Sequence, residues 1–495
     1  MVGRIAPALL CTVVALAPLP FGSAEPFWAG IWCTLLALAI LSCGRIDASR
    51  PLRGAIVAVL VVVAAWCVVV VLQFAPAEWK WIGIPHPAWG EAGRLLTDHV
   101  VVPRIAAVGA VPIAALAPPL ALVLALLAGL VMGSDPATLV RVYHWAANAG
   151  LAYAAYGIFA EVTNPGLLLW HVKTAYVNSV TGTFVNHNTA ATFFGAIAII
   201  WYARALRELR QTVNLARMTD LAYLAYKLKS LQFRQVRHGL YFVVVLATTI
   251  MTKSRAGAVL TLAGLGLVTI LYFAGEIKRG KRALLGLFAL AAVGMVVLEA
   301  VGGQLAHQIE TRGLADPSRI QAYRSSLAVI HDFPWLGTGL GSFPDVFPAY
   351  RTAQAGVWGV WDHAHSTPLE LMVEMGIPFS LLVFALWAAM LALLLRAALG
   401  GTGNRIYVIA ATAIGLVATL HSMVDFSLQI PGFSIVCGAL MGASLASILA
   451  PPADAPLRRH RSEAKPSQSV IAVPPGTEPA PVCQERQNSG LIMDL

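Results

Sequence analysis

Apolar residues run along this chain in long blocks that short polar stretches interrupt. A helix needs about 20 such residues to cross a bilayer. Blocks of that order fall at 6–22, 26–43, 54–74, 113–133, 139–161, 187–204, 239–253, 257–275, 283–301, 367–395, 406–423 and 431–450, predicting twelve transmembrane helices. The apolar character is continuous and does not alternate, which argues against a transmembrane barrel. Pro112, Pro118 and Pro119 either kink the fourth span or mark a re-entrant segment before it. The first block follows Arg4 and ends at Gly22-Ser23-Ala24, which fits either a cleaved signal peptide or an uncleaved first helix. The uncleaved form gives an even span count, with both termini on one side. No repeat of fixed period and no matching halves stand out, which disfavours an inverted-repeat transporter.

Composition narrows the class. Of 495 residues, 58% are hydrophobic and 12% charged, against about 25% charged in ordinary soluble domains. The mean hydropathy is +0.73. These values exclude a soluble enzyme, a disordered chain and a collagen-like fibre. The net charge of +10 reports topology and not a nucleic-acid surface, because the basic residues sit mostly in short loops. With the N-terminus inside, the inner segments hold 24 of the 34 Lys and Arg residues, so both termini are expected in the cytoplasm. The inner loop 203–238 is the richest in basic residues, which suits retention and contact with anionic lipid. Cys11, Cys33, Cys43, Cys67, Cys437 and Cys483 show no CxxC spacing, so they predict buried thiols and not a metal site or disulfide framework.

The scarce outer charges carry the candidate chemistry. The longest polar stretch, about 301–366, lies between the ninth and tenth spans and contains four of the ten outer basic residues. Asp316-Pro317-Ser318-Arg319 reads as a helix start, with Ile320, Tyr323, Leu327 and Ile330 at helical spacing after it. A guanidinium in a first helical turn adds its donors to free N–H groups and suits a phosphate. Arg312, Arg324 and Arg351 have the simpler explanation that long loops escape the positive-inside rule. Arg255, in Thr252-Lys253-Ser254-Arg255-Ala256-Gly257, interrupts two apolar runs, where a charge costs about 2.5–3.5 kcal/mol and usually faces a cavity or partner. Lys253 beside it reads as a snorkelling side chain.

In Asp362-His363-Ala364-His365, followed by Glu370 and Glu374, His365 suits acid–base or hydrogen-bonding work, and His363 a structural role or substrate contact. No HExxH spacing is present, so no metal and no cofactor is expected. Asn186 and Asn188 open the sixth span and either cap it or bind sugar hydroxyls. Asp425, after His421-Ser422, sets a carboxylate at the outer boundary. Gly337-Thr338-Gly339-Leu340-Gly341 reads as a tight turn and not a nucleotide loop. Trp79, Trp81, Trp89, Trp358 and Trp361 suit interfacial anchoring, with sugar stacking as the alternative.

Taken in order, several of these motifs resemble the O-antigen ligase and Wzy-type polysaccharide polymerase family. They are Gly182-Thr183-Phe184 with Asn186-His187-Asn188, Ser254-Arg255-Ala256-Gly257, Arg319 ahead of Asp332-Phe333-Pro334-Trp335-Leu336-Gly337, His363 to His365 with Glu374-Met375-Gly376, and His421-Ser422 with Asp425. The likeness covers about 180–430.

The resemblance implies an all-α polytopic membrane protein of about twelve helices with a GT-C-type glycosyltransferase fold. N-terminal transmembrane helices would occupy 1–180, and the catalytic region 181–430, with a large periplasmic loop at 302–366. A last transmembrane helix would follow at 431–450, and a disordered cytoplasmic tail at 451–495. The implied activity is metal-independent transfer of a glycan from undecaprenyl diphosphate, on the periplasmic side of the inner membrane, to lipid A-core or a second lipid-linked glycan. Arg255 and Arg319 would hold the diphosphate, and His365 would orient or deprotonate the acceptor hydroxyl. Asn186, Asn188, His363 and Asp425 are possible substrate contacts. Ser366 stands where the family commonly has Asn. The competing expectation is a lipid-linked glycan transporter or flippase without chemistry, whose signature would be charges along a path through mid-bilayer.

Overall fold

The structure is a computed structural model that describes residues 2–44, 48–76, 84–96, 100–110, 112–212, 221–230, 232–277, 317–352, 361–400 and 404–450. The predicted ninth span at 283–301 and the tail at 451–495 lie outside these residues, as do parts of the 302–366 loop.

Most of the described chain is helical. Its first half contains α1 (Val2–Leu16), α2 (Pro26–Leu41), α3 (Arg50–Phe74), α4 (Ala88–Leu95), α5 (Ile113–Met132) and α6 (Pro136–Thr163). After a two-residue hairpin, Leu167–Leu168 with His171–Val172, come α7 (His187–Thr212), α8 (Leu221–Ser230), α9 (Phe233–Met251) and α10 (Arg255–Ile277). The remainder holds α11 (Pro317–Asp332), α12 (Phe343–Tyr350), α13 (Thr367–Met375), α14 (Ile377–Gly400), α15 (Arg405–Ser422) and α16 (Pro431–Leu449). Seven of the described helices are long and apolar enough to cross a membrane, and three shorter apolar helices accompany them.

Caps begin several spans where the sequence changes character. Ser49 accepts from Leu52 N at 3.2 Å to start α3. Asp135 accepts from Ala137 N and Thr138 N at 3.2 and 3.0 Å to start α6, with Pro136 in the first turn. Two predicted spans differ in outline. The first helix stops at Leu16, before Pro18 and Pro20, and the chain turns through a short 3-10 segment at Phe21–Ser23. The tenth is broken into α13 and α14 at Gly376, where φ is +79° and a Cβ would strike the Trp335 carbonyl. Apolar character alone runs straight through that break, which Gly376 and Pro378, in the first turn of α14, mark instead.

Packing sorts the helices. The α16 helix is buried on nearly every side and lies against α5 through small residues. A Cβ on Gly438 would sit 2.9 Å from the Leu122 carbonyl, and one on Gly129 would sit 2.6 Å from that of Ala439. Close backbone approach of this kind is how helices associate where lipid removes the hydrophobic driving force. By contrast, α3 is the most apolar span and only 6% of it is buried, so its apolar surface faces outward. The α7 helix pairs with α9, and α10 packs against α7 and α15.

Outside the spans, α11, α12 and α13 share their own apolar cluster, including Ala322, Val329, Phe343, Phe347 and Val373. Gln73, buried at the end of α3, ties this unit to the spans. Its Nε2 donates to the Leu336 and Glu374 carbonyls at 2.5 and 2.7 Å, and its Oε1 accepts from Leu340 N at 3.1 Å.

Candidate functional site

Arg319 lies in the first turn of α11, as the sequence predicts, and Tyr323 lies one turn further along. Arg319 Nη1 donates to the Val424 carbonyl at 2.6 Å, and the Tyr323 hydroxyl donates to the His365 carbonyl at 2.9 Å. One helix face thus holds both the turn after α15 and the loop before α13.

His365 sits in that loop with φ +53°, a conformation that costs a non-glycine residue about 1–3 kcal/mol. Its Nδ1 lies 3.1 Å from the His363 carbonyl. A carbonyl oxygen only accepts, so Nδ1 carries the proton and Nε2 keeps its lone pair. Burial first, then the Arg319 charge, lowers the imidazole pKa to about 4. At neutral pH His365 is therefore an uncharged ring with an acceptor nitrogen. Trp361 and Phe426 meet it edge-on, with ring centroids 5.2 Å away in each case.

His363 is held differently. Its ring stacks on Phe426 at 4.3 Å, and its Nδ1 lies 2.8 Å from Glu370 Oε1. Burial works against its charge, but Glu370 outweighs that and raises the pKa. Glu370 Oε2 also accepts from Ala364 N at 2.7 Å, which fixes the His363–His365 backbone. Glu374, one turn on, accepts from Phe343 N at 3.2 Å. Burial, then the Glu370 charge, raises its pKa and favours the neutral acid.

Asp425 is fully buried beside this group. Burial pushes its pKa up to about 6, against the Arg319 charge and the hydrogen bond from Ser427, which pull it down. The Ser427 hydroxyl donates to Asp425 Oδ2 at 3.1 Å, and the Thr192 hydroxyl donates to the Asn188 carbonyl at 2.9 Å. The two hydroxyls also lie 3.1 Å apart, within hydrogen-bond reach of each other. His421 Nδ1 lies 3.0 Å from Thr192 Oγ1 and 3.2 Å from Ser427 Oγ, and closes a hydrogen-bonded triangle with them. His421 Nε2 and Asp425 Oδ1 are buried polar atoms without a hydrogen bond among the described residues. Such atoms cost about 1–3 kcal/mol unless water or a ligand meets them.

The same polar chain reaches the second arginine. The Ser254 hydroxyl donates to Asn188 Oδ1 at 2.7 Å and accepts from Gly257 N at 3.2 Å, capping α10. Arg255 is the first residue of that helix and half-buried. Asn186 caps α7, accepting from Asn188 N at 2.7 Å. The two asparagines therefore spend their oxygens on helix ends, while Arg319, His363, His365 and Asp425 cluster directly. Trp89 donates to the Ala106 carbonyl at 2.9 Å, and Trp79, Trp81 and Trp358 lie outside the described residues. Among the described residues no group of three or more His, Cys, Asp or Glu side chains is arranged to hold a metal.

Four residues of the site escape the sequence-level pattern: Thr192, Phe426, Ser427 and Tyr176. The first three are ordinary in type, and only tertiary contact gives them a task. Tyr176 lies in the segment between α6 and α7, with its ring stacked on His187 at 4.1 Å.

Residues 240–384 match the family model described as O-antigen ligase, and no curated protein matches the chain. The matched stretch carries Arg255, Arg319, His363 and His365, and supports assigning the chain to the O-antigen ligase family.

Proposed function

We propose that the chain is a membrane glycosyltransferase that moves a glycan from undecaprenyl diphosphate to an acceptor hydroxyl on the periplasmic face, without a metal or cofactor. The match of residues 240–384 to the O-antigen ligase family model supports this reading. The observation that carries it is a neutral imidazole with a free acceptor nitrogen, His365, held within the field of Arg319.

The acceptor oxygen attacks the anomeric carbon while His365 Nε2 takes its proton. The bond from that carbon to the diphosphate oxygen breaks, and its electron pair leaves with undecaprenyl diphosphate. Arg319 and Arg255 oppose the charge that develops on the leaving oxygens. Preorganised donors of this kind are worth about 10²–10³-fold each in rate. The acceptor is a saccharide of lipid A-core or of a second lipid-linked glycan. The active site faces the periplasm, and both termini lie in the cytoplasm.

The test is transfer by the purified protein in lipid, with an undecaprenyl-diphosphate glycan, candidate acceptors and a chelator present. Arg319→Ala and Arg255→Ala are expected to lower turnover by roughly 10²-fold or more, while thermal unfolding stays near wild type. Near-normal turnover in both variants would overturn the diphosphate assignment.

A further inference from the structure

The segment between α6 and α7 is more firmly built than a connecting loop requires. Lys173 Nζ lies 3.6 Å from Glu161 Oε2, with the two side chains only 6% and 17% exposed, and donates to the Ser179 carbonyl at 3.0 Å. Val180 N donates to the Met251 carbonyl at 3.1 Å, and Lys253 Nζ donates to the Asn178 carbonyl. The turn between these fasteners, 176–179, closes with Ser179 N donating to the Tyr176 carbonyl at 3.1 Å.

Within that turn Tyr176 has φ +58° and Asn178 φ +68°. Asparagine visits this region readily, but a tyrosine there is an outlier. Conformations of this kind persist where surrounding contacts over-determine them, and they gather at binding sites. Here they set the Tyr176 ring parallel to His187, with a 20° angle between planes. The phenol interacts electrostatically with both Arg319 and Asp425. Burial first, and Asp425 next, raise its pKa, so it holds its proton at neutral pH. Its hydroxyl forms no hydrogen bond among the described residues, and the ring is only half-buried. A strained, multiply anchored turn therefore presents a donor within the electrostatic field of the arginine assigned to the diphosphate.

We infer that Tyr176 is a further ligand of the lipid diphosphate, donating its hydroxyl to a phosphate oxygen. The inference rests on the donor proposed above. A phenol is suited to this task because it adds a directional donor without adding charge, so it favours the diphosphate without drawing in counter-ions. The stack on His187 fixes the ring, and the ring fixes the hydroxyl.

The experiment is binding of undecaprenyl diphosphate, without glycan, to the full chain in lipid nanodiscs, comparing wild type with Tyr176→Phe and Tyr176→Leu. A lost hydrogen bond to a charged group corresponds to roughly 10–100-fold in affinity. Tyr176→Phe is expected to weaken binding by that factor with an unchanged thermal midpoint, and Tyr176→Leu to weaken it to a similar extent. If Tyr176→Phe binds like wild type while Tyr176→Leu is weakened, the ring only packs, and the inference is overturned. Wild-type protein that binds the diphosphate but forms no glycosidic bond would overturn the transferase reading alone, leaving Tyr176 to be judged by the Phe variant. Absence of wild-type binding would overturn both.

Discussion

The His365 imidazole is tuned by two neighbours that act in the same direction. Burial and Arg319 both disfavour its cation, while the His363 carbonyl fixes which nitrogen carries the proton. His365→Gln, which loses the basic nitrogen but keeps polarity, is expected to lower turnover by about 10²–10⁴-fold with little change in donor affinity. A matching loss in affinity alone would assign His365 to binding. Asp425 shows the opposite balance. Its pKa rises from 3.8 to about 6 on folding, so ionising it in the fold carries a cost absent in the unfolded chain. The sign follows from linkage: the protonated form is favoured in the fold, and stability is lost as pH rises from about 4 through about 6. Asp425→Asn removes that cost. It is expected to unfold at higher temperature than wild type at pH 7.5, by a margin on the order of 3 kcal/mol that shrinks towards pH 4. Its turnover is expected to fall all the same. A variant that is both more stable and fully active would remove Asp425 from the site.

At the scale of elements, the sequence makes the helices legible and leaves their joints obscure. Hydropathy places the spans because a bilayer demands length and continuity. It does not see Gly376, because a left-handed glycine leaves no trace in an apolar average, and it runs the first span past Pro18. The Arg319 helix start was readable from Asp316-Pro317-Ser318, since first-turn chemistry is local. The Thr192–His421–Ser427 chain was not, because its members lie on separate elements and are common residue types. The seam between α5 and α16 gives a direct check. Gly442→Val should push the helices apart, since a Cβ there already meets the Leu126 carbonyl. Loss of the folded species in detergent, or a large drop in thermal midpoint, is the expected result. An unchanged midpoint would mean the seam is looser than the approach of Gly442 to the Leu126 carbonyl implies.

Over the whole molecule, the scarcity of charge is what gives each outer charge its meaning. Twenty-four of the 34 basic residues fit an inner face, and the rest include the two arginines assigned to the diphosphate. Orientation can be read with impermeant maleimide on a chain stripped of its six native cysteines. Val177→Cys, beside Tyr176, is expected to label from outside the membrane, and Cys483, when restored, only from within. The reverse pattern would place the site on the wrong face for a lipid-linked donor exported before transfer. The most direct measurement follows both products in a single turnover: undecaprenyl diphosphate released and glycosidic bond formed, with a chelator present. Equal amounts of the two, abolished together in Arg319→Ala, are the predicted result. Glycan that crosses the bilayer with its diphosphate bond intact, and no new glycosidic bond, would contradict the account.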